Sequence, residues 1–105
     1  MDIQAIRNEA EVAANLAQAE FLKKYGDGAY CGFAWVEIYG VKGNTKLGKA
    51  FKAAGINKNY TGAYSIWNPA GVGVQNIDTL EAGAEAAAKV FEKHGFRAYA
   101  CSRLD

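Results

Sequence analysis

The chain has 105 residues, half of them apolar, and 12 Lys and Arg against 11 Asp and Glu leave a formal charge of +1. That length supports one domain, residues 1–105, with one modest core. The even charge excludes a strong overall pull toward nucleic acid but leaves room for a local basic patch. No apolar run reaches the eighteen or so residues that span a bilayer, so no membrane partner is expected. The N-terminus is charged and amphipathic, unlike a secretory leader. Cys31 and Cys101 are therefore expected to be free thiols in a reducing, cytoplasmic setting.

Ile3, Ile6, Ala10, Ala13, Ala17 and Phe21 recur at spacings of three and four, and Leu16 widens the stripe. This predicts an amphipathic helix near 3–24. Tyr25-Gly26-Asp27-Gly28 then turns the chain. Residues 29–41 form the longest apolar run, rich in aromatic and β-branched side chains with Glu37 as the single charge. They predict the central strand. Both of its parities are largely apolar, so both faces are expected to be covered. Trp35 then reads as a core residue whose loss costs several kcal/mol.

A shorter helix is predicted near 45–54, capped by Asn44 or Thr45. Leu47, Ala50, Phe51 and Ala54 make its apolar side, and Gly55 stands where a left-handed residue ends it. Asn57-Lys58-Asn59 reads as a polar turn, and residues 60–67 as a strand stopped by Asn68-Pro69-Ala70-Gly71. The third helix, near 78–94, has Asp78 as expected N-cap with Glu81 three residues on. Leu80, Ala84, Ala87 and Phe91 form its stripe. Residues 96–104 alternate as a last strand. The order fits an α+β, two-layer domain. We expect a three-stranded mixed or antiparallel sheet with the three helices mainly on one face. The other face would carry Tyr and Trp side chains, which points to a dimer or a ligand surface.

Gly43 to Ala50 follows a strand and opens a helix, and it matches the phosphate-loop pattern G-x-x-x-x-G-K-[ST] except at Ala50. The missing hydroxyl removes the magnesium ligand, so a nucleotide hydrolase is not expected. A weaker anion site remains, with helix N–H groups joined by Lys46 and Lys49. More broadly, Lys42, Lys46, Lys49, Lys52 and Lys58 lie in a stretch without acids, and Tyr64 and Trp67 follow. Basic groups beside aromatics suit phosphates and bases. The candidate binding residues are therefore Lys42, Asn44, Thr45, Lys46, Lys49, Lys52, Lys58, Tyr64 and Trp67. The competing reading is a solvated lysine face over core aromatics.

Catalytic groups do not assemble in the sequence. His94 is the only histidine and sits at a helix end. No close-spaced ligand pair suggests a metal, and no cofactor is expected. Glu37, if it faces the core, needs a partner such as Arg97 or Arg103.

Residues 31–38, 46–55 and 95–99 resemble stretches of small uncharacterised proteins of tailed bacteriophages and related marine sequences. The resemblance implies a cytoplasmic host setting and carries no activity. Three functional readings follow. The first is a non-enzymatic accessory or interaction domain, homodimeric or bound to another protein. The second is nucleic-acid or anion binding through Lys42 to Lys58. The third is a small enzyme near Glu37, Arg97 and Arg103.

Overall fold

A computed structural model describes residues 2–26, 28 and 30–105. In chain order the elements are α1 (Ile3–Tyr25), β1 (Gly32–Tyr39), α2 (Lys46–Ala53), β2 (Asn57–Lys58), β3 (Tyr64–Trp67), α3 (Ile77–Lys93) and β4 (Arg97–Leu104). The strands form one sheet in the order β2-β3-β1-β4, with every neighbouring pair antiparallel. The segment β3-α3-β4 is thus a crossover that spans β1 and lays α3 over the back of β1 and β4. The α+β class and the antiparallel option hold. The sheet has a fourth strand, because Asn57 and Lys58 pair with Ser65 and Tyr64 instead of forming a free turn.

The central strand is covered on one face only. Gly32, Ala34, Val36 and Ile38 are buried beneath the helices, while Phe33, Trp35, Glu37 and Tyr39 are half-buried or exposed. The expectation of two covered faces is corrected, and with it the full core penalty for Trp35. The cause is the placement of α1. It packs chiefly along α3 and more lightly on α2, and its buried Ile3, Ile6, Ala10 and Ala14 join one core with Ala34, Val36 and Ile38 of β1. No helix is left for the second face. Residue 29, the expected start of β1, lies outside the described residues.

The buried stripe of α1 runs in one step of three and then steps of four, and it excludes Leu16, which is 63% exposed, in favour of Gln18 at 3%. Gly83 of α3 makes room for Gln18: a Cβ there would meet the Gln18 amide at 2.6 Å. Neither amide atom of Gln18 has a hydrogen-bond partner. The N-terminal part of α1 is pinned better. Asp2 accepts from the Ala5 N–H at 3.1 Å, Arg7 donates to the Ala54 carbonyl, and Glu9 pairs with Lys93 and His94.

Local chemistry fixes the element ends. The N-cap of α3 is Asn76, not Asp78: its Oδ1 accepts from the Thr79 N–H at 3.0 Å. The helix can start there because the Ile77 N–H is already bonded to the Tyr30 carbonyl at 3.0 Å. Before β3, Asn59 Oδ1 accepts from the N–H groups of Thr61 and Ala63. That closes a turn over 59–63 and delays the strand from residue 60 to Tyr64. Phe51, Phe91 and Ile56 fill the centre of the core, with Tyr64 edge-on to Phe51 at 5.1 Å between centroids.

Gly48 is buried where α2 crosses the loop before it, and a Cβ there would lie 2.3 Å from the Lys42 carbonyl oxygen. Backbone cannot yield as a side-chain tip can. Gly48→Ala is expected to cost about 1–3 kcal/mol in urea unfolding. Gly73→Ala, with nothing near its Cβ, should stay within about 0.5 kcal/mol of the parent.

Candidate functional site

Two surfaces carry the chemistry-bearing residues, one on each side of the sheet. On the open face, directly opposed residues share a side, so Trp35 meets Trp67 and Cys101, Glu37 meets Ser65 and Tyr99, Tyr39 meets Arg97, and Phe33 meets Arg103. Trp35 and Trp67 stack at 4.7 Å with 23° between planes. Phe33 stands edge-on to Trp67 at 6.1 Å, and Tyr39 edge-on to Tyr99 at 5.8 Å. The Arg103 guanidinium lies 5.3 Å over the Phe33 ring. The result is an aromatic surface in two patches with arginines at its margin.

Glu37 sits between the patches. Its carboxylate accepts from the Cys101 thiol at 3.1 Å, the Asn59 amide at 3.1 Å and the Tyr39 hydroxyl at 3.2 Å. These donors, Cys101 foremost, hold its pKa below the usual carboxylate value against the opposing effect of burial. Neither expected arginine pairs with it: among the described residues the ion pairs are those of Glu9. The antiparallel register explains this, because Arg97 and Arg103 stand opposite Tyr39 and Phe33, each off the Glu37 row.

Burial, and then the adjacent carboxylate, push the Cys101 thiol up to about 11. A thiol protonated at neutral pH is a poor nucleophile. His94 is no base for it, being tied to Glu9 at 2.9 Å at the end of α3. Cys31 and Cys101 are both free. Cys101 is opposite Trp35, four residues along β1 from Cys31, which separates them by roughly 13 Å at strand rise, beyond disulfide reach. No group of three or more potential metal ligands occurs among the described residues.

The second surface lies beside β2 on the helix side. Gly43, Gly48, Lys49, Lys52, Asn57, Lys58 and Tyr64 help line a cleft of about 510 Å³ together with Ile56. The Lys58 ammonium is 5.7 Å from the Tyr64 ring centroid. The fold therefore brings together Lys49, Lys52, Lys58 and Tyr64, four of the nine residues singled out from the sequence. The rest disperse. Lys42, Asn44 and Lys46 are exposed outside the cleft lining, and Trp67 is on the opposite face of the sheet. Thr45 caps α2 itself: its Oγ1 accepts from the Gly48 N–H at 3.1 Å and donates to the Lys42 carbonyl at 2.6 Å. That occupies a donor assigned to an anion in the sequence reading. The expected uncovered face of Tyr and Trp side chains is present, and Phe33, Tyr39 and Tyr99 join Trp35 and Trp67 on it, a membership not named from the sequence. The signal that unites them is a shared parity across paired strands.

The Cys101–Glu37 contact is testable. Removing the carboxylate charge lowers the thiol pKa, so at pH 8 the Glu37→Gln variant is expected to alkylate at Cys101 roughly threefold to tenfold faster than the parent. The raised thiol pKa favours folding below about pH 9, where unfolded thiols are protonated. That contribution is lost as pH rises toward about 11, so Glu37→Gln should also flatten the alkaline limb of a stability profile.

In comparisons with known proteins, no family model matches the chain, and no curated protein or solved structure matches it either.

Proposed function

We propose that this chain is a non-enzymatic interaction domain that self-associates through the uncovered side of its sheet. The observation that carries the reading is the gathering of Phe33, Trp35, Trp67, Tyr39 and Tyr99 on one face without a covering helix. Aromatic area of this kind is favourable to bury between molecules. A cytoplasmic setting is part of this reading and rests on the resemblance to small phage proteins; that Cys31 and Cys101 are free follows from their separation. No helix among the described residues is long and apolar enough to cross a membrane. Sedimentation velocity from about 1 to 500 µM, a range that spans micromolar association, is expected to show a concentration-dependent dimer. A strict monomer throughout would end this reading.

The lysine cleft favours a second reading, binding of a phosphate-bearing ligand, nucleic acid included. Lys49, Lys52 and Lys58 converge on it with no acidic lining residue. Phosphate titrated to tens of millimolar, the range of a few charge-assisted hydrogen bonds offset by binding entropy, is expected to move the amide signals of Lys52, Asn57 and Lys58. Binding of a single-stranded oligonucleotide should weaken steeply with salt. Unmoved signals, and no oligonucleotide binding at low salt, would leave the lysines as a solvated face.

A further inference from the structure

The two edges of the sheet are built differently. The β2 edge is two residues long and carries Lys58, both devices that discourage pairing with another chain. The β4 edge is eight residues long. From Ala98 to Ser102 it has no charge, proline or glycine, and its pairing with β1 is unbroken by any bulge.

The backbone phase of that edge is known. The Asp105 N–H bonds the Cys31 carbonyl at 3.2 Å, and residues alternate along an antiparallel ladder. Odd residues of β4 therefore direct their backbone groups to β1. Even residues, Ala98, Ala100, Ser102 and Leu104, direct theirs outward.

We infer that β4 pairs antiparallel with β4 of a second copy, in the register that sets Cys101 opposite Cys101 and joins two sheets into one of eight strands. This inference rests on self-association alone: it places a contact at the β4 edge, distinct from the open aromatic face, which the joined sheet leaves uncovered. In that register Ala100 faces Ser102 of the other copy and Ala98 faces Leu104. All four are outward-directed residues, so about eight backbone hydrogen bonds can form. On the open face Arg97 meets Asp105 and Tyr99 meets Arg103, each twice by symmetry. Those are an opposite-charge pair and a cation–π pair.

The neighbouring registers are worse. Centring on Ala100 sets Arg97 against Arg103, a like-charge pair made twice. Centring on Ser102 leaves Arg97 and Ala98 unpaired and shortens the ladder. The helix side has room for the Cys101 register. Leu104 is 65% exposed, and a hollow of about 190 Å³ lies between Glu85, Ala88, Lys89 and Glu92 of α3 and Ala98, Tyr99 and Ala100 of β4. The partner's Leu104 would arrive opposite Ala98, beside that hollow.

The test combines sedimentation of four proteins with a crosslink. Wild type is expected to dimerise. Ala100→Pro removes an outward N–H without touching the β1 ladder and should be monomeric at concentrations where wild type is dimeric. Asp105→Arg places like charges opposite one another twice and should weaken the dimer about tenfold. Arg97→Asp/Asp105→Arg restores opposite charges and should return affinity to within about twofold of wild type. Both charge variants leave the backbone intact, so they decide the matter if the proline variant fails to fold. In a Cys31→Ser background, diamide should give a disulfide-linked dimer through Cys101, since facing residues of a non-hydrogen-bonded pair come within disulfide reach. A dimer indifferent to Asp105→Arg and Ala100→Pro, with no Cys101 crosslink, would overturn this register and leave self-association through another surface standing. A wild-type protein that stays monomeric would overturn both.

Discussion

Close packing of α1 on α3 sets the character of the molecule. Gly83, Ala84, Ala87 and Ala88 of α3 are buried, as are Ala10 and Ala14 of α1. Small side chains on both helices let the backbones approach, so α1 finds its burial on another helix. Helix-on-helix contact of this kind competes with helix-on-sheet contact for the same apolar stripe. Here it wins, and one face of the sheet is left to water. The aromatic residues of β1, β3 and β4 are exposed because α1, α2 and α3 share one core on the other side of the sheet.

That division also explains what could be read in the sequence. Helices 3–24, 45–54 and 78–94 were legible because caps, glycines and periodic spacing agree there, and the observed elements fall close to them. The one-sided burial of β1 was legible only in part: the layer arrangement put Tyr and Trp on an uncovered face, while the two apolar parities of the strand argued for two covered faces. Phe33, Trp35 and Tyr39 are apolar by composition, and hydropathy alone does not separate an aromatic facing a core from one facing solvent. Leu16 was placed on the stripe although it is exposed, because the neighbouring stripe positions are alanines and alanine specifies a helix face weakly. Asn76 was passed over as a cap because its role depends on Tyr30, distant in sequence, accepting from Ile77.

The candidate sites divide in the same way. The lysine segment was legible as a run, and its fold-back over β2 does gather three of its members. The separation of Tyr64 from Trp67 was fixed by strand parity, which places residues three apart on opposite faces. Glu37 was assigned Arg97 or Arg103 as partners on the condition that it faced the core, and it lies on the open face instead, with other partners. A thiol, an amide and a phenol supply them, because those groups fall on its row of the sheet or in the turn beside it.

The unpartnered amide of Gln18 has a consequence for how the molecule opens. Beyond Ala14, α1 buries only Gln18, and an unsatisfied buried amide costs about 1–3 kcal/mol. That offsets most of what the buried stem of Gln18 contributes, and leaves the hydrogen bond from the Asn15 amide to the Ala70 carbonyl at 2.9 Å as the segment's polar tie. The first three turns of α1 are held differently, by Ile3, Ile6 and the contacts of Arg7 and Glu9 with other elements. Amide-hydrogen protection should therefore grade along one continuous helix, falling from its first half to its last turns. The helix is a single element in shape and two segments in local unfolding free energy. Its distal segment can lift from α3 while the sheet and the remaining core stay closed.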